Sequence, residues 1–124
     1  MSCFFDAIFG RLTPEWKKRV GGTPARLPGF FAENNVDTRN ILCNGVTLSP
    51  KQVKENKAHI LEMKNHNINS GYLTSFYEPY FYLCSELFDV DINFNYRGHK
   101  ACFKKNNGVS RKSWSFTASS SHIS

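Results

Sequence analysis

Apolar positions repeat at helical spacing along the first two thirds of the chain and at strand spacing after that. Phe4, Ile8 and Leu12 stand four residues apart, the stripe of an amphipathic helix running from Cys3 to about Arg11. Thr13-Pro14-Glu15-Trp16 reads as a fresh start, with Thr13 as N-cap, Pro14 at the first helical position and an acid in the first turn. Gly21-Gly22 should stop that short helix. From Thr23 to Asn40 the residues turn to Pro, Gly and Asn around Phe30 and Phe31, which predicts a long ordered loop or a weak helical turn. Such a segment serves either as a lid facing a substrate or as a plain connector.

Ser49-Pro50-Lys51-Gln52 is the clearest local signal, an N-cap, a first-position proline and a capping-box glutamine. It predicts a helix to about Lys64 with Val53, Ile60, Leu61 and Met63 as apolar positions, and with His59 and, just beyond, His66 facing solvent. Asn65 to Gly71 breaks it. Tyr72, Phe76, Tyr77, Tyr80, Phe81 and Tyr82 then lead into a helix that starts near Pro79 and runs through Cys84, Leu87 and Phe88. Their helical spacing assigns these aromatics to core packing before base stacking. Val90, Ile92, Phe94 and Tyr96 alternate with polar residues as a half-buried strand. Arg97-Gly98 turns it into a second strand, His99 to Lys105. Asn106-Asn107-Gly108 carries a hairpin signal before a third strand around Lys112 to Ala118, with Trp114 and Phe116 on one face. Helices followed by a strand meander make the class α+β, helices packed on a small antiparallel sheet.

At 124 residues the chain suits a single domain, 1–124. Its 40% hydrophobic content and 11 Phe exclude a disordered class. Four scattered cysteines (Cys3, Cys43, Cys84, Cys102) could pair in three ways in a secreted protein. However, the opening apolar run is interrupted by Asp6 and lacks a basic leader, so reduced thiols in a cytoplasmic setting are the expectation. No run approaches the roughly 18 apolar residues of a membrane span. The formal net charge is +6, and Arg97, Lys100, Lys104, Lys105, Arg111 and Lys112 supply as much in one stretch, with no acid after Asp91. A basic β-ribbon of this kind could meet phosphates or an anionic membrane face. The plainer reading is a solvated, edge-protecting set of cations. A zinc site drawn from Cys43, Cys84, His99 and Cys102 lacks a second close ligand pair, so no metal or cofactor is expected.

Cys3 carries the chemistry. A cysteine at a helix N-terminus sits where backbone N–H groups and the helix dipole favour a negative charge, which lowers its pKa. His122, near the other end, can act as its base; His99, beside a predicted hairpin turn, is the competitor.

The opening Cys3-Phe4-Phe5-Asp6-Ala7-Ile8 resembles the cysteine motif of the ovarian-tumour (OTU) family of cysteine proteases, most of which are deubiquitinases. Val90-Asp91-Ile92-Asn93-Phe94 resembles the strand that follows the family's later helix, and Ser121-His122-Ile123-Ser124 stands where its catalytic histidine opens the last strand. The compact length looks like the reduced versions encoded by RNA viruses. The family's Asp-Gly before the cysteine is absent here. Ile123 replaces the usual aromatic after the histidine, and Ser124 stands where many members carry Asn or Asp. The resemblance implies a papain-like fold, Cys3 as nucleophile and His122 as general base. It implies ubiquitin or ubiquitin-like conjugates as substrates, with the chain's own polyprotein as a further one. A carboxylate elsewhere could orient the histidine in place of Ser124, and Glu33, Asp37, Glu78 and Glu86 are available to meet the basic tail of ubiquitin. The alternative is a non-catalytic RNA- or protein-binding accessory domain that uses the basic hairpin over residues 97–112.

Overall fold

In the computed structural model, which describes residues 2–65, 77–106, 111–119 and 123–124, helix α1 spans Ser2–Arg11 and buries Phe4, Phe5 and Ile8. Leu12, just past its end, is buried with them. Helix α2, Pro14–Arg19, starts as its cap predicts, with Thr13 Oγ1 accepting the Trp16 N–H at 3.2 Å. It ends at Gly21 and Gly22, whose φ angles of +112° and +87° suit glycine alone. The segment expected as a long loop or a weak helical turn is helical in two pieces, a short 3-10 turn Pro24–Arg26 and helix α3, Leu27–Glu33. Leu27 and Phe31, four apart, are both fully buried, so packing of one helical face overrides the Pro- and Gly-rich composition.

The next hairpin escapes a period-two reading because its strands are too short to alternate. Strand β1 is Ile41–Cys43 and β2 is Val46–Thr47, joined by Asn44 and Gly45 with φ of +51° and +82°. Helix α4, Pro50–Glu62, has the full capping box: Ser49 Oγ accepts from the Gln52 N–H at 3.2 Å, and Gln52 Oε1 accepts from the Ser49 N–H at 2.9 Å. Ile60 is its buried residue; Leu61, expected inside, is 59% exposed because one residue turns the helix by about 100°.

Helix α5, Tyr77–Leu87, is the core's centre, with Tyr77 and Tyr80 through Ser85 buried. Tyr72 and Phe76 lie outside the described residues. Strands β3 (Asp91–Tyr96) and β4 (His99–Lys105) form the expected hairpin around Arg97 and Gly98, and β5 spans Ser113–Ala118. The sheet order is β2-β1-β4-β3-β5. Two expectations fail here. β5 pairs with β3, in parallel, with Ile92 opposite Trp114 and Phe94 opposite Phe116, so the sheet is mixed and not antiparallel. No hairpin joins β4 to β5 either, because the far edge of β4 is taken by β1 and the Asn106 N–H bonds the Asn40 carbonyl at 2.8 Å. Asn107 and Gly108 themselves lie outside the described residues.

One side chain ties the layers together. The Phe81 ring lies 4.9 Å from Phe94, 5.4 Å from Phe103 and 5.3 Å from Phe116, one partner on each of three strands, and 5.7 Å from Phe4 of α1. Burying such a ring stabilises the fold by roughly 1.5–3 kcal/mol before packing is counted. The class is α+β, and among the described residues no helix is long and apolar enough to cross a membrane.

Candidate active-site cleft

The ring contacts fix how β5 runs relative to α1. Trp114, near the start of β5, lies 5.5 Å from Phe88, which is 4.8 Å from Trp16, a few residues past the end of α1. Two residues further along β5, Phe116 sits beneath the Arg11 guanidinium, 4.0 Å from its ring centroid. The strand therefore runs back along the helix, and Thr117 near its end shares a cleft with Asp6 and Ala7. There the chain returns on itself. Buried Ile123 bridges Ala118, and Thr117 and Ser124 exchange both backbone hydrogen bonds at 3.0 Å.

Between these elements lies a cleft of about 720 Å3. Asp6, Ala7, Gly10 and Arg11 form its helical wall; Ser115 and Thr117 of β5 form the other, and Ile123 and Ser124 close it. Position 3 falls on the same stripe as residues 6, 7 and 10, three, four and seven residues on. Arg11 bridges the walls. It donates to the Ala7 carbonyl at 2.8 Å and to the Ser115 carbonyl, while its stem and head lie against Phe116. Burial pulls its pKa below the ordinary value, yet a guanidinium stays charged at neutral pH. Asp6 is exposed and is the carboxylate side chain of this cleft among the described residues. No sequence motif singles out Asp6 or Arg11; the signal is their helical register with Cys3.

Of the residues predicted to act, Cys3 lies in the first turn of α1, with its side chain outside the described residues, and His122 lies outside them. His99 is exposed at the start of β4, and His66 lies outside the described residues. His59, expected to face solvent, is half-buried with its ring 6.3 Å from Tyr80, and that burial lowers its pKa against the opposing pull of Glu62. The zinc candidates do not converge. Cys84 is fully buried in the core. Cys43 pairs with Phe103 and so shares its inward face, whereas Cys102, the next residue back along β4, points to the other face. Among the described residues no group of three or more His, Cys, Asp or Glu is disposed to hold a metal. Burial pushes the thiols of Cys43 and Cys84 up from their ordinary values, which leaves both protonated at neutral pH.

The basic stretch divides once it is folded. The Arg111 side chain is only 4% exposed and donates to Asp89, Asp91, Ser85 and the Val90 carbonyl. Lys105 pairs with Glu86 at 3.2 Å. What faces solvent is Arg97, Lys100, Lys104 and Lys112. Glu33, Asp37 and Glu78 stand away from the α1–β5 cleft, and Asp37 is held by Arg39. No known protein family, curated protein or solved structure matches this chain.

Proposed function

We propose that this chain is an OTU-like cysteine protease that cleaves ubiquitin or ubiquitin-like conjugates, with Cys3 as nucleophile and His122 as general base. One observation carries the reading: α1, whose first turn holds Cys3, and the returning segment that contains Ile123, the neighbour of His122, line the same cleft. Elements from opposite ends of the chain thus share one cleft, which supports pairing a nucleophile on α1 with a base beside Ile123. The chemistry of the other thiols agrees, because Cys43 and Cys84 are held protonated by burial whereas a helix N-terminus favours a thiolate.

In this reading His122 takes the Cys3 proton and the thiolate attacks the carbonyl carbon of a peptide or isopeptide bond. The first N–H groups of α1 are directed at the oxygen that gains the charge. His122 returns the proton to the leaving amine, and water then hydrolyses the thioester, regenerating the thiol. Asp6, on the cleft wall, is the carboxylate we assign to orient the imidazole in place of Ser124, whose backbone is committed to Thr117.

The test is adduct formation with a ubiquitin bearing a cysteine-reactive C-terminal group, read by intact mass. The wild-type protein should gain one ubiquitin, Cys3→Ala none, and His122→Ala should react at least about a hundredfold more slowly. An unlabelled wild type, or an adduct that survives in Cys3→Ala, overturns the reading.

A further inference from the structure

The cations of the β4–β5 region are partly spent on internal contacts, and a second group of cations gathers around α2 and the 3-10 turn. Helix α2 ends in Lys17-Lys18-Arg19, and the Gly21-Gly22 reversal followed by the 3-10 turn brings Arg26 back beside it. Arg19 and Arg26 both line a cleft of about 380 Å3, together with Gly29, Phe30 and Glu33 of α3. The Arg19 guanidinium lies over the Trp16 ring, 4.1 Å from its centroid, which fixes its plane and leaves its edge donors open. Arg26 is positioned by Gly21: a Cβ there would stand 2.7 Å from Arg26 Cγ, so the arginine stem crosses the space that glycine leaves. No ion pair among the described residues includes either arginine, and Glu33 makes none either.

Two guanidinium groups against the single carboxylate of Glu33 leave this cleft net positive, and an anion between the arginines relieves their mutual repulsion. The rest of the cleft says which kind. Phe30 is half-buried and offers an aromatic wall, set edge-on to Trp16 at 6.2 Å. Lys18 is exposed one residue before Arg19, so positive charge continues beyond the cleft. A phosphate, a flat ring next to it and a further phosphate along the line are the features of single-stranded nucleic acid. A phosphopeptide supplies the phosphate alone and has no ring to add to Phe30, which already packs on Trp16, Phe31 and Phe88.

We propose that this cleft binds single-stranded nucleic acid, with a backbone phosphate between Arg19 and Arg26, its base against Phe30 and the adjacent phosphate at Lys18. The site lies on α2 and α3, apart from the α1–β5 cleft, and its function does not depend on the protease reading.

The test is fluorescence anisotropy of a labelled oligouridylate of about twelve nucleotides, titrated with the protein at about 50 mM and about 200 mM salt. Arg19→Gln/Arg26→Gln should bind roughly tenfold or more weakly and lose about 0.7 from the log–log salt slope, the share of the one phosphate the two arginines hold on a single strand. Gly21→Ala keeps every charge but displaces Arg26, so it should weaken binding severalfold; Phe30→Leu should cost roughly fivefold or more. Lys100→Gln/Lys104→Gln, on the sheet's outer face, should stay within about twofold of wild type. Thermal melts of each variant establish that it is folded. Absence of binding by the wild type at the lower salt, or equal losses in the two double variants, overturns the proposal. Equally effective competition by a phosphoserine peptide of matched charge overturns it too, since the ring would then contribute nothing.

Discussion

Two arginines close the two sides of this fold in opposite ways. Arg111 uses all five of its N–H donors, on Asp91, Asp89, the Ser85 hydroxyl and carbonyl and the Val90 carbonyl, and so locks the end of α5 to the start of β3 and β5. Arg11 has two hydrogen bonds and one ring contact, and it stands in the wall of an open cleft. A fully satisfied buried charge specifies the structure and has nothing left to offer a ligand. A partly satisfied one at a cleft holds two walls in register and keeps donors in reserve. The same residue type serves as a staple at one end and as the wall of an open cleft at the other.

The largest expected effect breaks the staple. Arg111→Met strands Asp91 and Ser85 without their partner and should cost about 3–5 kcal/mol, read as a drop in the urea midpoint. Adduct formation by the folded fraction should stay within about twofold of wild type, because nothing in the cleft has moved. Arg11→Met should invert that pattern. Losing two hydrogen bonds and a cation–π contact costs about 1–2 kcal/mol, whereas the adduct rate should fall roughly tenfold or more as the helix wall loses its tether to Ser115. If both arginines move stability and rate together, the contrast between them is wrong. Ser49→Ala, which removes one half of the α4 capping box far from both ends, should cost about 1 kcal/mol and leave the adduct rate unchanged. The smallest effect is a pH dependence. His59 has a folded pKa below its unfolded value of 6.5, so the unfolded chain binds the proton first as pH falls. Stability should therefore be full above about pH 7 and decline below it, and His59→Gln should flatten the decline.

What the sequence makes legible is what neighbours decide. Thr13-Pro14, Ser49-Pro50-Lys51-Gln52 and Arg97-Gly98 each complete their hydrogen bonds within a few residues, and all three stand as read. Asn44-Gly45 is an equally local signal, overlooked because the strands beside it are only three and two residues long. The partner of β5 is a different matter. A parallel pair has no turn between its strands, so nothing in residues 106–118 announces that Ser113–Ala118 will lie along β3. Charge misleads for the same reason: Arg111 counts as surface charge in the sequence, and only the approach of Asp89, Asp91 and Ser85 buries it. The candidate site was half legible. A cysteine at a helix start is a local fact, whereas Asp6 and Arg11 matter only because β5 comes back along their helix.

The hydrogen bond from Arg11 to Ser115 spans 104 positions of the chain. During synthesis or refolding, α1 therefore exists long before its cleft does. Phe4 and Phe5 lack their ring partners Tyr77, Tyr80 and Phe81 until α5 arrives, and the second wall must wait for β5. Loops that long close late and slowly. Helical signal and the β3–β4 hairpin should thus recover first on dilution from urea, and thiol reactivity at Cys3 should reach its native value in the last kinetic phase. In the protease reading, a nascent chain of this kind stays chemically silent until β5 is in place.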